Sequence, residues 1–400
     1  MKGYRLPKKL ILGAAVPVYK SEDLAHWRED TDLMAAMGLG SAMITLSWRL
    51  IEPKAGVFDA GAVRQYREAL TYIRASGIRP LLVMHAFDDP DWFSRRGGFY
   101  YPANAKTFLR YVGYAVKNFG DLVSDYVTLS EPNIKAFEQY GGTLPATSRS
   151  NPLSVRRAMS VMAGCHIRAY EKIHRMRSGM GLGDTRVGVS LGMKAFAPLH
   201  ASSVMETGST RISRFLFQDA PARACANGDF AFPLENLGGF KRGSYADFIG
   251  ISYHTRSRVT KTGDNLTRPE DPKTDDGYEI YPKGLLEVMH EMTKTAALPL
   301  WITENSAADG GDYFRSLYLY DQLAVIAGSD LPVERYYYGA LLDEPDGGGE
   351  TLRRGLVAVD PETKRRTVKK SGHFYREIIR SHGVTEEMAE RYITGENYHR

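Results

Sequence analysis

The stretches Thr-Leu-Ser-Glu-Pro-Asn at 128–133 and Trp-Ile-Thr-Glu-Asn at 301–305 decide how this chain is interpreted. In each, a largely apolar and β-branched run ends in a glutamate, which is Glu131 in the first and Glu304 in the second. A carboxylate at the end of a buried strand is costly unless the strand delivers it to a site. The two stretches therefore predict a pair of carboxyl groups that meet in one cleft.

Strand-like runs recur along the whole chain, and helical patterns separate many of them. Most of the runs are nearly continuous apolar segments, as expected of strands that are buried on both faces. Eight parallel strands with crossover helices predict an α/β fold, a (β/α)8 TIM barrel, in a single domain that covers residues 1–400. The runs lie at 10–17, 42–48, 79–85, 125–131, 186–193, 247–253, 298–304 and 333–341.

The positions of the two glutamates agree with a barrel. Catalytic groups of such barrels lie at the C-terminal ends of the strands, and Glu131 ends the fourth run while Glu304 ends the seventh. A doubly wound open sheet is the alternative, but it favours a glycine-rich phosphate turn after an early strand, and the sequence has none. Paired carboxyl groups at such positions are typical of retaining glycoside hydrolysis, in which they stand about 5–5.5 Å apart.

The composition argues against several other classes of function. The chain is 43% hydrophobic, and its formal net charge of +5 is small for 400 residues, so no nucleic-acid partner is expected. No apolar run is long enough to cross a membrane, and the run at 10–18 is interpreted as a first strand rather than a signal peptide. Cys165 and Cys225 form no disulfide framework or metal spacing. A cytoplasmic location is therefore expected, with no metal and no cofactor.

Further motifs accompany the two glutamates at regular positions. They are Trp92-Phe93, Gly97-Gly98 and Phe119-Gly120-Asp121 before Glu131, the segment 277–285 before Glu304, and Gly355-Leu356-Val357, Asp360, Lys369-Lys370-Ser371 and Tyr375 after it. In order and spacing, over nearly all of the chain, these motifs resemble the family 1 glycoside hydrolases, which are β-glucosidase-like enzymes. The resemblance implies that Glu131 protonates the leaving oxygen and later deprotonates water. It also implies that Glu304 attacks the anomeric carbon and forms a covalent intermediate.

The sugar-binding positions of that family match this chain poorly. Where the family has glutamine, arginine, asparagine and tyrosine around the sugar, the aligned residues are Lys20, Met43, Ser130 and His254. A family histidine aligns with Ala86, one residue after His85, and the family's tryptophan, glutamate and tryptophan after the last strand align with Gly339, Asp346 and Gly347. The candidate substrate-binding residues are Lys20, His85, Ser130, Asn133, His254 and Asp346.

These replacements affect which sugar ring the site is expected to bind. Because they remove polar groups and a stacking platform that hold a glucose-like ring, an ordinary β-glucoside is expected to be a poor substrate. Met43 in place of the arginine is expected to leave Glu304 less stabilised as an anion, with Lys20 or His254 as the compensating residue.

Three functions are compatible with these residues. The leading hypothesis is a retaining glycosidase that acts on a β-linked, non-standard glycoside by double displacement, or a transglycosylase that shares its covalent intermediate. The first alternative is a barrel of the same family repurposed for other acid–base chemistry on a non-sugar metabolite. The second is a non-catalytic binding protein. In each case the predicted partner is a small molecule.

Overall fold

The barrel strands follow the predicted runs closely. A computed structural model describes residues 1–16, 26–141, 151–263, 265–345 and 351–398. The barrel strands are Ile11–Val16 (β1), Ser41–Thr45 (β2), Arg79–Val83 (β3), Asp125–Ser130 (β4), Arg186–Pro198 (β5), Phe248–Val259 (β6), Leu300–Asn305 (β7) and Val333–Gly339 (β8).

The eight strands form one closed parallel sheet. Each strand from β1 to β7 pairs in parallel with the next strand along the chain, and β8 pairs with β1 to complete the circle. This closure confirms the (β/α)8 TIM barrel and excludes the doubly wound open sheet. The treatment of residues 1–400 as a single domain stays a prediction.

Helices pack around this barrel. In the described ranges they are Trp27–Met37 (α1), Trp48–Ile51 (α2), Ala60–Ala75 (α3), Asp91–Ser94 (α4), Ala105–Phe119 (α5), Pro132–Tyr140 (α6), Pro152–Gly179 (α7), Val204–Arg214 (α8), Ala220–Asn227 (α9), Lys283–Ala296 (α10), Arg315–Ala327 (α11), Lys370–Ser381 (α12) and Glu386–Ile393 (α13). A π-helical turn, Phe215–Asp219, joins α8 to α9. Short 3-10 turns occupy Gly98–Tyr100 and Pro102–Asn104.

Short two-stranded pairings lie outside the eight barrel strands. Tyr4–Arg5 pairs with Gly383–Val384, Glu344–Pro345 with Thr351–Leu352, and Val357–Val359 with Arg366–Val368. Asn265–Leu266 pairs with the end of β6.

The barrel interior is filled by side chains of the strands themselves. One buried cluster contains only strand residues, so no helix contributes to it: Met43, Leu81, Val83, Val127, Phe248, Trp301 and Tyr337. Within it Phe248 and Trp301 stack with ring centroids 3.5 Å apart. Beside them a fully buried ion pair joins Arg335 Nη2 to Asp125 Oδ2 at 2.6 Å. This packed interior supports the strand ends from which both glutamates project.

Candidate active site

Glu131 lies at the junction of β4 and α6 in an unusual backbone conformation. Its φ of 51° and ψ of 45° are left-handed, a region that non-glycine residues rarely occupy. Pro132 follows at the start of α6, where its fixed φ suits the helix and its missing N–H is not needed. The Glu131 N–H donates to the Ser190 carbonyl at 2.8 Å and so ties this turn to β5. Strain of this kind is characteristic of functional sites, and here it holds a carboxylate that is only 7% exposed.

Glu304 is brought to the site by an irregularity in β7. The pairing of β6 with β7 shifts between Ile251 and Ser252, so that Ser252 stands opposite Glu304 rather than Thr303. Such a bulge changes the direction of a side chain at the rim of a sheet. Gly339 at the end of β8 leaves the space that the Glu304 side chain occupies, because a Cβ there would lie 2.6 Å from the Glu304 Cγ.

Two side chains of β6 link the glutamates. His254 Nε2 lies 2.5 Å from Glu131 Oε1 and 3.2 Å from the Ser252 hydroxyl. The same hydroxyl donates to Glu304 Oε2 at 3.5 Å, and a hydrogen bond from Ser252 also acts on Glu131. Glu131 and Glu304 therefore face each other across one serine side chain. This arrangement is consistent with the short separation, about 5–5.5 Å, of carboxyl pairs in retaining enzymes.

His254 shifts the pKa of Glu131 in the direction opposite to that expected for a buried carboxyl group on its own. Burial raises the pKa of Glu131, but the charge and hydrogen bond of His254 outweigh it and bring the pKa below its usual value. Burial lowers the pKa of His254, yet the Glu131 carboxylate raises it overall. The imidazole therefore holds the shared proton in preference to the carboxylate, and the pair titrates as one unit.

A cation near Glu304 comes from a residue that the sequence reasoning missed. Arg354 is hydrogen-bonded to Asp276, and burial lowers its pKa, while the Asp276 hydrogen bond and the charges of Asp276 and Glu304 raise it overall. Met43, at the position of the family's arginine, lies in the apolar barrel interior instead. Arg354 belongs to a segment beyond β8, where no motif or periodicity singled it out.

The structure places His85 in a buried cluster with Asp89 and Lys135, and its contact with substrate stays a prediction. Its side chain is 1% exposed and packs against aromatic rings, with Trp48 at 5.6 Å and Phe99 at 5.5 Å between centroids. Its Nε2 lies 3.0 Å from Asp89 Oδ1, and the other carboxylate oxygen accepts from Lys135 Nζ at 3.0 Å. Burial and the Lys135 charge lower the pKa of His85. The residue is part of a buried polar cluster behind the barrel wall.

Asn133 is engaged in hydrogen bonds within the protein, and its contact with substrate stays a prediction. The residue is 1% exposed, and its amide oxygen accepts from the Gly192 N–H at 3.0 Å. Its amide nitrogen donates to the Gly192 carbonyl at 2.7 Å and to the Phe217 carbonyl at 3.0 Å. Both ends of the side chain are therefore used to fasten α6 to β5 and to the π-helical turn, so that Asn133 positions the helix that begins at Glu131.

The other predicted binding residues divide into two groups. Ser130 is half-buried at the end of β4, where its N–H donates to the His85 carbonyl at 2.8 Å, and it directly precedes Glu131. Its contact with substrate stays a prediction, as does that of His254, which reaches Glu131. Lys20 and Asp346 lie outside the described residues.

A pocket of about 420 Å³ opens beside the Glu131–His254 pair. His254 forms part of its wall, and α6, which begins immediately after Glu131, forms another. Phe137, Phe196 and Phe217 give it aromatic surfaces, and Lys194 contributes an ammonium group to its lining. The size suits a single ring system, and the position suits a group attached to an oxygen within reach of Glu131.

Comparisons with known proteins agree with the fold and with the family resemblance. A family model described as glycosyl hydrolase family 1 matches residues 16–235 and 244–384. A β-galactosidase of Sulfolobus acidocaldarius is 29% identical over 364 residues, which cover 82% of this chain and 71% of that protein. A β-glucosidase A of Thermotoga maritima is 25% identical over 398 residues, which cover 90% of this chain and 87% of that protein. The solved structure of a β-glycosidase from Pyrococcus horikoshii has a TM-score of 0.85 at 24% identity and covers 99% of both chains.

A closed (β/α)8 barrel with two linked glutamates at strand ends defines a glycosidase of the barrel type. More specifically, the chain belongs to glycosyl hydrolase family 1, because the family model covers most of its length. The predicted resemblance and the predicted enzyme class are confirmed, and β-glycosidase activity is supported by the relatives. In the described ranges no helix is long and apolar enough to cross a membrane. The same residues contain no group of three His, Cys, Asp or Glu side chains arranged to hold a metal ion.

Proposed function

We propose that the protein is a retaining β-glycosidase that works by double displacement, with Glu304 as the nucleophile and Glu131 as the acid/base. The observation that carries this proposal is the continuous contact from Glu131 through His254 and Ser252 to Glu304. A single serine hydroxyl that interacts with both carboxyl groups favours the short separation of a retaining enzyme over the separation of about 6.5–9.5 Å in an inverting one.

In the first step, a Glu304 oxygen forms a bond to the anomeric carbon while the bond to the leaving oxygen breaks. The proton held by His254 passes to Glu131 through the contact of 2.5 Å between Nε2 and Oε1, and Glu131 gives it to the leaving oxygen. Glu131 is then a carboxylate and His254 is neutral. In the second step, the Glu131 carboxylate accepts a proton from water. The water oxygen then bonds to the anomeric carbon, and Glu304 is released.

The glycone is proposed to differ from an ordinary glucose ring. Met43 contributes an apolar side chain to the barrel interior, and Gly339 has no side chain to stack against a sugar. Ser130 has a shorter side chain than the asparagine expected before the acid/base. With fewer groups to strengthen their hydrogen bonds in the transition state, the protein is expected to act on a β-linked, non-standard glycoside better than on a simple β-glucoside.

Covalent trapping tests the proposal directly. The protein is incubated with a panel of 2,4-dinitrophenyl 2-deoxy-2-fluoro-β-glycosides of different configuration, and the adduct is located by peptide mass spectrometry. We expect a mass increase on the peptide that contains Glu304 and none in Glu304→Ala. The matched control is Glu171→Ala, which removes an exposed carboxylate on α7 and should be labelled like the wild type.

A second measurement assigns the acid/base. Glu131→Ala should lose activity on poor leaving groups, and azide should restore turnover of activated substrates with a β-glycosyl azide as product. Labelling of a residue other than Glu304, or an inverted azide product, would contradict double displacement with these roles. Absence of both labelling and turnover for the whole panel would favour acid–base chemistry on a non-sugar metabolite.

A further inference from the structure

The pocket beside Glu131 contains a lysine in an unusual state. The side chain of Lys194, near the middle of β5, is largely enclosed, and burial lowers its pKa although Glu138 and Glu131 oppose the shift. Its Nζ lies 5.2 Å from the centre of the Phe217 ring. In the described part of the chain no carboxylate lies within ion-pair distance of this ammonium group, and no acceptor hydrogen-bonds to it.

The Lys194 ammonium group keeps contact with solvent in the pocket, because its Nζ is not among the buried polar atoms without a partner. The nearby acidic groups have other roles. Glu131 is held by His254 at 2.5 Å. The Glu138 carboxyl has its own interaction, and its pKa is raised by burial and by the charge of Glu131. A ligand that fills the pocket displaces this water, so it must bring an acceptor for the Lys194 ammonium group.

The walls of the pocket indicate what kind of ligand carries that acceptor. Phe137 and Phe217 pack with ring centroids 5.6 Å apart, and Phe196 meets Phe217 at 5.9 Å in an edge-to-face arrangement. Tyr278 lies across the pocket, with its ring 6.2 Å from that of His254. Aromatic walls of this kind pack well against a flat ring, and the volume of about 420 Å³ accommodates one.

The pocket belongs to the leaving-group side of the reaction. The acid/base must reach the oxygen that leaves, so the group attached to that oxygen lies on the side of Glu131 and His254. The lining includes His254 and three residues of α6, Ile134, Phe137 and Glu138, but not Glu304. The glycone, whose anomeric carbon meets Glu304, therefore lies on the opposite side of the reacting bond.

We propose that this pocket selects a planar aromatic leaving group that carries an anionic substituent, such as a carboxylate, and that Lys194 is the residue that binds this substituent. The inference rests on the proposed function, because it takes Glu131 as the acid/base. It adds a chemical class of aglycone and a residue that determines specificity for it. A neutral aromatic ring would use the walls of the pocket but would leave the Lys194 ammonium group without an acceptor.

Binding of free aglycone analogues tests the proposal without requiring turnover. Calorimetry compares 4-hydroxybenzoate with its neutral analogue 4-hydroxybenzamide, using the wild type, Lys194→Met and Lys194→Arg. One charge-assisted hydrogen bond at an enclosed site corresponds to a change in affinity of about 10–100-fold. We expect 4-hydroxybenzoate to bind more tightly than the amide by that factor, Lys194→Met to abolish the difference, and Lys194→Arg to retain most of it. Lys117→Met, which removes an exposed lysine on α5, should behave like the wild type.

The catalytic counterpart uses 4-carboxyphenyl and 4-carbamoylphenyl β-glycosides of one sugar that the protein accepts. Lys194→Met should raise KM for the carboxyphenyl substrate and leave the carbamoyl substrate nearly unchanged. Equal binding of the two analogues by the wild type, absence of binding by both, or an unchanged preference in Lys194→Met would each overturn the proposal. If the benzoate binds through Lys194 but no glycoside of any sugar is cleaved, the proposed function fails, and only the binding of aromatic anions by Lys194 is retained. If both glycosides are cleaved with the same KM, the proposed function stands and the pocket proposal fails.

Discussion

Replacement of His254 by phenylalanine should separate the proton-carrying role of the Glu131–His254 pair from its structural role. Phenylalanine is close to histidine in size and removes the contact of 2.5 Å between Nε2 and Glu131 Oε1. In the wild type, the last proton of the pair is lost from His254, whose pKa is raised from its ordinary value of 6.5 by the Glu131 carboxylate despite burial. In His254→Phe, only the Glu131 carboxyl can carry the proton.

The direction in which the pH profile of kcat/KM moves depends on which group loses the proton. Without the cation, the pKa of Glu131 rises because burial is no longer opposed by His254. The ordinary pKa of a glutamate, 4.5, is below the 6.5 of histidine, so we expect the carboxyl group to lose its proton at lower pH than the raised imidazolium. The alkaline limb of the kcat/KM profile should therefore move to lower pH. General acid catalysis contributes about 10²–10⁴-fold, and because Glu131 remains in place we expect a loss of about 10²-fold at pH 7.

The assay uses leaving groups of different basicity. An aryl glycoside with a basic leaving group needs the proton, so its kcat/KM should fall by this factor and recover partly at acidic pH. A 2,4-dinitrophenyl glycoside needs little protonation and should be nearly unaffected. His254→Tyr keeps a hydrogen-bond donor without the charge and should shift the limb in the same direction. His290→Phe, which changes an exposed histidine on α10, serves as the matched control.

One result would refute this reasoning. If His254→Phe lowers kcat/KM equally for both leaving groups and leaves the alkaline limb in place, His254 does not hold the catalytic proton. Its effect would then be on the position of Glu131 alone. Thermal unfolding of each variant checks that the comparison is made between folded proteins.

Three further predictions concern the supports of the two glutamates. Asn133→Ala removes three hydrogen bonds and should lower the free energy of unfolding in urea by about 3 kcal/mol; a raised KM at unchanged stability would instead indicate substrate binding. Arg354→Met should reduce kcat/KM by about 10²-fold at constant melting temperature, because it removes the cation near Glu304, and full retained activity would exclude this role. Gly339→Ala places a Cβ 2.6 Å from the Glu304 Cγ and should cost about 10²-fold in kcat, whereas unchanged single-turnover rates would show that Glu304 needs no such space.

The order of strands was predictable because it depends on local patterns. Strands of a closed parallel sheet are buried on both faces, so each appears in the sequence as an apolar run, whatever its neighbours are. The runs at 125–131 and 298–304 ended in glutamates that the observed β4 and β7 present at one end of the barrel. The pairing of Glu131 with Glu304 could be inferred in the same way, since C-terminal strand ends converge in this fold.

The directions of individual side chains were less predictable. His85 stands only two residues after β3, yet it packs outside the barrel beside Trp48, because a shift of one residue along an extended chain reverses its facing. Asn133 was assigned to substrate on the basis of its place after Pro132, but its partners Gly192 and Phe217 lie far along the chain. Nothing near position 133 in the sequence indicates them.

Sequence alone determined the barrel, the two candidate carboxylates and the family, because apolar periodicity and motif spacing are present along the chain. Only the tertiary structure decided what surrounds those carboxylates. The contact of His254 with Glu131, the cation Arg354 near Glu304 and the enclosed Lys194 all join residues that are remote in sequence. Charge, burial and distance act through space, so the electrostatics of the site exist only once the barrel has closed.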